Sequence, residues 1–148
     1  MNIAVVDLGT NTFNCSVVSL NGSHFTSLLD FHEYPQLGAK AVAYGITSHD
    51  ALKRGLHSLT EIKGKNALIF DDEVDRGSSI MNAVHVLEEY GVKEIYAACT
   101  HGVLSGPAIE RIKNSSIKEF VITNTIPLTP EKQIDKILDN IDKCKETG

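Results

Sequence analysis

The chain has 148 residues, of which 42% are apolar and 22% charged, and its formal net charge is −5. This length and apolar share suit one globular domain with a sizeable core and exclude a disordered chain. No apolar run is long enough for a membrane span, and an acidic chain without a Lys/Arg block excludes nucleic acid as the main partner. Met1 leads straight into an apolar run, so no secretory signal is expected. Three widely spaced cysteines predict free thiols in a reducing cytoplasm.

Short strands and tight turns are predicted for the beginning of the chain. Residues 3–6 form an apolar run, a second strand is expected from Phe13 to Leu20, and a third from Phe25 to Phe31. Asn21-Gly22, between the second and third strands, is a strong hairpin signal. The three strands are therefore expected to form an antiparallel meander.

Helices and strands alternate from residue 48 onward. Helices are predicted after Ser48, after Ser79, after Pro107 and from Thr129, the last one carrying the apolar stripe Ile134, Ile137, Leu138 and Ile141. Strands are predicted at residues 67–70, 95–99 and 120–122, with residues 100–102 as a loop. This alternation favours a single three-layer α/β domain. Its mixed central sheet would join the antiparallel N-terminal meander to parallel βαβ units.

An acidic turn at residues 71–79 is the main candidate site. Asp71 and Asp72 follow a buried strand, at the edge where open α/β sheets hold their ligands. Two adjacent carboxylates can accept hydrogen bonds from neighbouring sugar hydroxyls. The following turn offers backbone N–H groups, hydroxyls and a cation to a phosphate through Asp75, Arg76, Gly77, Ser78 and Ser79. The alternative is an ordinary solvated loop before a Ser-capped helix.

Residues 65–137 resemble the C-terminal part of ribose-phosphate pyrophosphokinase, also called phosphoribosyl pyrophosphate synthetase. The matching stretches are residues 69–72, 92–98, 100–112 and 121–127. The resemblance implies that Asp71 and Asp72 meet ribose hydroxyls and that residues 75–79 meet the 5-phosphate. The family's phosphate turn reads Asp-Thr-(Gly/Ala)-Gly-(Thr/Ser), whereas this chain has Arg76 and Ser78 at the second and fourth positions. The ATP-binding half of the synthetase has no counterpart here, which implies binding without turnover.

A second, weaker phosphate loop is a candidate near the start of the chain. Asp7 is followed by the turn formers Gly9, Thr10, Asn11 and Thr12, and such a turn is more often a plain hairpin than a site. Residues 1–63 resemble the N-terminus of the exopolyphosphatase/guanosine pentaphosphatase family, within the actin-like ATPase superfamily. That resemblance implies that residues 7–12 are the first phosphate loop of an enzyme whose other parts have no counterpart in this sequence.

His101 follows a predicted strand, but no Ser or Cys nucleophile accompanies it, so a role in orienting its loop is favoured over a role as a base. No residue is predicted to ligate a metal. Mg²⁺ is expected only as the companion of a bound phosphate ligand.

We expect one merged domain over residues 1–148, built from an exopolyphosphatase-like segment (1–63), a synthetase-like segment (64–137) and a C-terminal end (138–148). Both resemblances imply a sheet order of roughly 3-2-1-4. The favoured function is a phosphosugar-binding module for ribose 5-phosphate or phosphoribosyl pyrophosphate, catalytically incomplete and of chimeric or fusion origin. The alternatives are a phosphate-chemistry enzyme, pyrophosphokinase-like or polyphosphatase-like, with its missing half supplied by a homo-oligomer, and an engineered chimera without a ligand.

Overall fold

The computed structural model describes residues 2–8, 13–33 and 62–139 of the chain. Seven strands, two α-helices and one 3₁₀ turn lie in these ranges. In chain order they are β1 (Asn2–Leu8), β2 (Phe13–Asn21), β3 (His24–Glu33), β4 (Asn66–Val74), α1 (Ser78–Glu89), β5 (Glu94–Gly102), α2 (Ala108–Asn114), β6 (Ile117–Ile122), the 3₁₀ turn (Pro130–Lys132) and β7 (Ile137–Leu138). The helix predicted to begin at Ser48, the loop at residues 9–12 and the last nine residues lie outside the described ranges.

All seven strands form one sheet in the order β3-β2-β1-β4-β5-β6-β7. The pairs β1–β2 and β2–β3 are antiparallel, and every pair from β1–β4 to β6–β7 is parallel. Gly22 turns the β2–β3 hairpin at φ 62, the left-handed conformation that the Asn-Gly pair favours. The predicted mixed sheet, with an antiparallel meander on one side and parallel βαβ units on the other, is confirmed.

One face of the sheet, which we call the closed face, carries the core. Along the strands, alternate residues are buried, and the strand registers place them side by side in rows. The buried residues of these rows are Ala4, Val6, Cys15, Val17, Ala67, Ile69, Ile95, Ala97, Cys99, Phe120, Ile122 and Ile137. Val74 at the end of β4 and Ile117 at the start of β6 are buried as well. They form one cluster with the apolar stripes of both helices, Ile80, Ala83, Val84 and Leu87 of α1 and Ala108 and Ile112 of α2. The helices therefore cover the closed face.

Two strands run further than the sequence indicated. The acidic residues 71–74 were predicted as a turn, but they continue β4, because Glu73 and Val74 still pair with His101 and Gly102 of β5. For the same reason residues 100–102, predicted as a loop, end β5. Parallel pairing supplies hydrogen bonds to a segment whose polar composition alone favours a turn.

The helix predicted from Thr129 is wrong. Residues Pro130–Lys132 form a single 3₁₀ turn, and Ile137–Leu138 form the edge strand β7. The N–H of Phe120 donates to the carbonyl of Lys136 at 2.7 Å, so β7 satisfies the free edge of β6. The apolar spacing was helical, but β-branched residues beside an unpaired strand edge gain more from extending the sheet.

Candidate functional site

The candidate site lies where β4 ends and α1 begins. Gly77 sits at the N-cap of α1 in the left-handed conformation, φ 74, and no side chain makes a capping hydrogen bond. Ser79, predicted as the cap, is the second residue of the helix instead. The first helical hydrogen bond runs from the N–H of Met81 to the carbonyl of Gly77 at 3.1 Å. The N–H groups of the first turn therefore have no acceptor within the helix.

These N–H groups face a cleft of about 290 Å³. Its lining residues are Asp71, Glu73, Val74, Asp75, Arg76, Gly77, Ser78, Ser79 and Ile80. Six of the seven residues predicted for the phosphosugar site therefore line one cleft. The seventh, Asp72, is exposed beside Asp71 and is not part of the lining. A helix N-terminus, two hydroxyls and a guanidinium at one cleft can hold an anion, while the carboxylates at the strand end can accept from hydroxyl groups.

Asp71 is the half-buried carboxylate of this cleft. Its register partner is Cys99, so the side chain points to the closed face rather than into solvent. Burial, and then a hydrogen bond with the Asp72 carboxyl, raise the pKa of Asp71 to about 7. The backbone N–H of Glu73 donates to both carboxyls, at 3.3 Å to Asp71 and 3.0 Å to Asp72, which partly opposes that shift. Near neutral pH this carboxyl can therefore exist with or without its proton.

The turn at residues 75–79 is held in place by the loop that follows β5. The N–H groups of Leu104 and Ser105 donate to the carbonyls of Val74 (3.0 Å) and Asp75 (2.8 Å). The hydroxyl of Ser105 also donates to the Asp75 carboxylate in a short hydrogen bond. The second βα unit thus fixes the backbone of the first one at the point where β4 ends.

Arg111, on α2, makes a second clamp on the same turn. Its Nη1 donates to the carbonyl oxygen of Arg76 at 2.7 Å and to the hydroxyl of Ser78 at 2.8 Å. The guanidinium of Arg76 itself packs against Gly106, where a Cβ atom would lie 3.5 Å away. Because Gly106 adopts φ 54 and has no side chain, the Arg76 side chain has room beside the loop.

Backbone strain is concentrated in the loop that pins the turn. Leu104 has φ 50, and among the described residues it is the single residue other than glycine with a positive φ. A left-handed conformation costs an L-residue roughly 1–2 kcal/mol. The side chain of Leu104 is 1% exposed and its N–H is bonded to Val74, so packing and the clamp on β4 offset that cost.

The second predicted loop begins next to the first. Asp7 is exposed near the end of β1, where its Oδ2 accepts from Asn14 Nδ2 at 2.9 Å. Leu8 pairs with Asp71 in the parallel register, so β1 and β4 end at the same edge of the sheet. The chain leaves β1 towards β2 and leaves β4 towards β5, on opposite sides. Such a switch of direction creates a crevice outside the carboxyl ends of the two strands. Gly9, Thr10, Asn11 and Thr12 lie outside the described residues.

Other residues singled out from the sequence fall at or near this edge. His101 lies near the end of β5, with Nδ1 3.0 Å from the Thr125 hydroxyl, a contact that suits a residue orienting its loop. Cys99, one of the three cysteines, is buried in the core, and burial raises the pKa of its thiol to about 12.

Sequence reasoning missed Glu73, Ser105 and Arg111. Glu73 lay within the acidic run, and the other two belong to the Ser105-Gly106-Pro107 turn and the helix after it. The resemblance to the synthetase covers that stretch, but no local pattern places it against the turn at residues 75–79. Within the described ranges, no group of three or more His, Cys, Asp or Glu side chains is placed to hold a metal ion. In the same ranges, no helix is long and apolar enough to cross a membrane.

Fold and cleft together define an open-sheet α/β module with a helix N-terminus and a carboxylate at the carboxyl edge of its strands. The chain belongs to the family described as the phosphoribosyl synthetase-associated domain, whose model matches residues 42–144. Its family match makes it a ribose-phosphate-related module, as the sequence resemblance implied.

Individual relatives agree with this assignment. The chain is 62% identical over 76 residues to a ribose-phosphate pyrophosphokinase from Halalkalibacterium halodurans, covering 51% of this chain and 24% of that protein. It is 57% identical over 77 residues to the Clostridium acetobutylicum protein of the same name, covering 52% of this chain and 24% of that one. The matched region thus spans about a quarter of the length of these curated relatives.

The solved structures similar to this chain include a phosphoribosylpyrophosphate synthetase and members of the Ppx/GppA family, the two families that the sequence resembles. Phosphoribosylpyrophosphate synthetase from Mycobacterium smegmatis matches with TM-score 0.53 and 39% identity, over 54% of this chain and 27% of that chain. A Ppx/GppA family member from Aquifex aeolicus matches with TM-score 0.31 and 18% identity, over 77% of this chain and 28% of that chain. At a TM-score of 0.31 the second likeness carries no argument about function.

Proposed function

We propose that the cleft at residues 71–79 binds a phosphorylated ribose, ribose 5-phosphate or phosphoribosyl pyrophosphate. The observation that carries this proposal is the uncapped N-terminus of α1, whose first turn lines the cleft together with Ser78, Ser79 and Arg76. A helix N-terminus offers unpaired N–H donors and a positive dipole end to a phosphate group. The phosphate would sit at this end of the cleft.

The carboxylate end of the cleft suits the sugar. Asp71 and Glu73 line it, and ionised carboxylates accept hydrogen bonds from hydroxyl groups. Hydrogen-bond donors that suit an anion lie at one end of the cleft and hydrogen-bond acceptors lie at the other. This arrangement matches a molecule with a phosphate on one side and a diol on the other. A free phosphate or a nucleobase lacks one half of this pattern. Mg²⁺ would enter as the companion of the bound phosphates, since the described residues offer no metal cluster of their own.

We also propose that these 148 residues bind this ligand without turning it over. Support comes from the extent of the match, which covers about a quarter of each relative. The sequence resemblance likewise implies that the synthetase's ATP-binding half has no counterpart here. Incubation of the full chain with ribose 5-phosphate, ATP and Mg²⁺ should therefore yield no phosphoribosyl pyrophosphate. Detected product would contradict this part of the proposal.

Calorimetric titration of the full chain tests the binding proposal. Ribose 5-phosphate and phosphoribosyl pyrophosphate, each with Mg²⁺, should release heat, whereas ATP with Mg²⁺ should not. Arg76→Ala removes a charged donor from the cleft and should weaken sugar-phosphate affinity roughly 10- to 100-fold, the value of a charge-assisted hydrogen bond. Lys113→Ala, which removes an exposed cation outside the cleft, is the matched control and should leave affinity unchanged. No heat with either sugar phosphate, or equal effects of the two variants, would refute the site.

We further propose that segments of two origins share one folded unit. Six consecutive residue pairs join β1 to β4, from Ile3–Asn66 to Leu8–Asp71, which supports a common sheet for the exopolyphosphatase-like and synthetase-like segments. Limited proteolysis under native conditions should not cleave the chain at residues 63–66, where the two segments join. A clean cut there that releases two stable fragments would contradict a single merged domain.

A further inference from the structure

Two arginines reach the turn at residues 75–79, and their side chains are used differently. Arg111 donates from Nη1 to the carbonyl oxygen of Arg76 and to the Ser78 hydroxyl, so its charge holds the turn itself. The guanidinium of Arg76, by contrast, makes no hydrogen bond or ion pair with any residue that the structure describes. Arg76 is exposed on the lining of the cleft, and its N–H donors are therefore available to a ligand.

The carboxylates near Arg76 are engaged elsewhere. Asp75, its neighbour in the chain, accepts a hydrogen bond from the Ser105 hydroxyl and another, at its carbonyl oxygen, from the Ser105 N–H. Asp71 shares a hydrogen bond with Asp72. The positive charge of Arg76 and the positive end of the α1 dipole thus lie along one cleft, and no ion pair within the described residues neutralises that charge.

The guanidinium of Arg76 lies flat against Gly106. Its central carbon and both of its Nη atoms are at the same distance, 3.5 Å, from the point that a Cβ atom on Gly106 would occupy. Equal distances to three atoms of a planar group place that point above the plane. The guanidinium therefore turns its face, and not its N–H edge, towards the glycine. A guanidinium in this position keeps its edge for two parallel hydrogen bonds.

This edge and the first turn of α1 together offer more donors than two phosphate oxygens can use. The N–H groups of Ser79 and Ile80 come before the first helical hydrogen bond, which runs from Met81 to Gly77. They have no acceptor within the helix. A phosphate monoester carries three terminal oxygens and close to two negative charges at neutral pH. A phosphodiester has only two such oxygens and a single charge, so it would leave charged or backbone donors without an acceptor.

We propose, on the basis of the phosphosugar function proposed above, that Arg76 determines the specificity of the cleft by selecting a terminal phosphate monoester over a phosphodiester. The guanidinium edge would pair with two of the phosphate oxygens, and the first turn of α1 would donate to the third. Ribose 5-phosphate and phosphoribosyl pyrophosphate both meet this requirement, since each carries a 5-phosphate with three free oxygens. A ribose that is joined to a second group through its 5-phosphate does not.

Calorimetric titration at about pH 7.5 with ribose 5-phosphate and with its methyl phosphodiester tests the proposal, because the two ligands share the same sugar. The wild type should prefer the monoester about a hundredfold, and Arg76→Gln should reduce this preference to about tenfold. Arg76→Lys keeps the charge but not the planar edge, and should bind ribose 5-phosphate about tenfold more weakly than the wild type. Lys113→Gln, which removes an exposed cation outside the cleft, is the control and should keep the wild-type preference.

Urea unfolding separates this role from a structural one. Because the Arg76 side chain has no hydrogen-bonded partner among the described residues, Arg76→Gln and Arg76→Lys should unfold at the wild-type midpoint, whereas Arg111→Ala should not. A wild type that binds neither ligand would overturn the phosphosugar function and this proposal with it. If the wild type binds ribose 5-phosphate but Arg76→Lys matches its affinity, or Arg76→Gln keeps its preference, the binding function stands and the role of Arg76 in specificity is refuted.

Discussion

The raised pKa of Asp71 predicts how the stability of this protein depends on pH. In the folded chain burial raises the pKa of this carboxyl from 3.8 to about 7, with a further contribution from Asp72. Between these two values the folded state keeps a proton that the unfolded state has released. The free energy of unfolding therefore contains a contribution that is fully present below about pH 4 and is lost as the pH rises through about 7.

The size of this contribution follows from the shift and from the exposure of the group. Full conversion of a pKa change from 3.8 to about 7 corresponds to about 4 kcal/mol. Asp71 is only half-buried and shares its proton with Asp72, so solvent screening reduces the expected value to about 1–2 kcal/mol. Asp71→Asn removes the titrating group while keeping a side chain of the same size. This variant should lose that much of the pH dependence between pH 4.5 and pH 8.

Urea unfolding followed by circular dichroism, repeated at several pH values, measures this directly. The difference between wild type and Asp71→Asn isolates the carboxyl, since all other titrating groups are common to both proteins. Glu119→Gln, which removes an exposed carboxylate on β6, serves as the control and should keep the wild-type pH dependence. If Asp71→Asn and wild type lose stability in parallel as the pH rises, the carboxyl is not held protonated by its burial and the reasoning fails.

Three further substitutions test how the turn and the core are held. Arg111→Ala should lower the free energy of unfolding, measured in urea, by about 1–3 kcal/mol and should weaken sugar-phosphate binding, because the Ser78 hydroxyl and the Arg76 carbonyl lose a charged donor. Arg111→Lys should recover only part of either loss. Gly77→Ala should cost about 1–2 kcal/mol in the same assay, since an L-residue is strained at φ 74, and an unchanged midpoint would contradict that conformation. Phe120→Ala should cost about 3–5 kcal/mol by thermal unfolding, as expected for a large side chain that is 0% exposed.

Local signals were enough to predict much of the fold. The Asn21-Gly22 pair specified a hairpin, and the left-handed Gly22 forms it. The apolar stripe from Ile80 to Leu87 defined α1, which ends before the left-handed Gly91. Such elements are determined by residues close in sequence, so a reading of the sequence can find them.

Other features depend on partners distant in the chain. Ile137 and Leu138 have helical spacing with Ile134, yet they form a strand because the free edge of β6 offers hydrogen bonds. Asp71 and its neighbours were expected in a turn, yet β5 extends their strand. In both cases tertiary pairing overrides a local preference, and sequence periodicity carries no information about it.

The candidate site shows the same limit. Its lining could be predicted, because residues 75–79 carry turn and phosphate-binding chemistry in one continuous stretch. Its support could not, because Ser105 and Arg111 lie some thirty residues further on and reach the turn only after the second βα unit has packed. The polar clamps between neighbouring βα loops are a property of the folded edge, not of either loop alone.

We expect one carboxyl, that of Asp71, to connect stability with binding of the proposed ligand. If Asp71 accepts hydrogen bonds from sugar hydroxyls, binding requires the ionised form, so affinity should rise with pH up to about 7. The free protein loses stability over the same range, because ionising a half-buried carboxyl is unfavourable. A ligand that satisfies the ionised group removes that penalty, and mass action adds to the gain. The stabilisation by ribose 5-phosphate should therefore be largest near neutral pH and smallest at pH 4.5. Asp71→Asn should reduce this pH dependence to the part that comes from the ligand's own phosphate, whose second ionisation lies at about pH 6. An Asp71→Asn variant with the full wild-type pH dependence would contradict a role of the Asp71 carboxyl in binding.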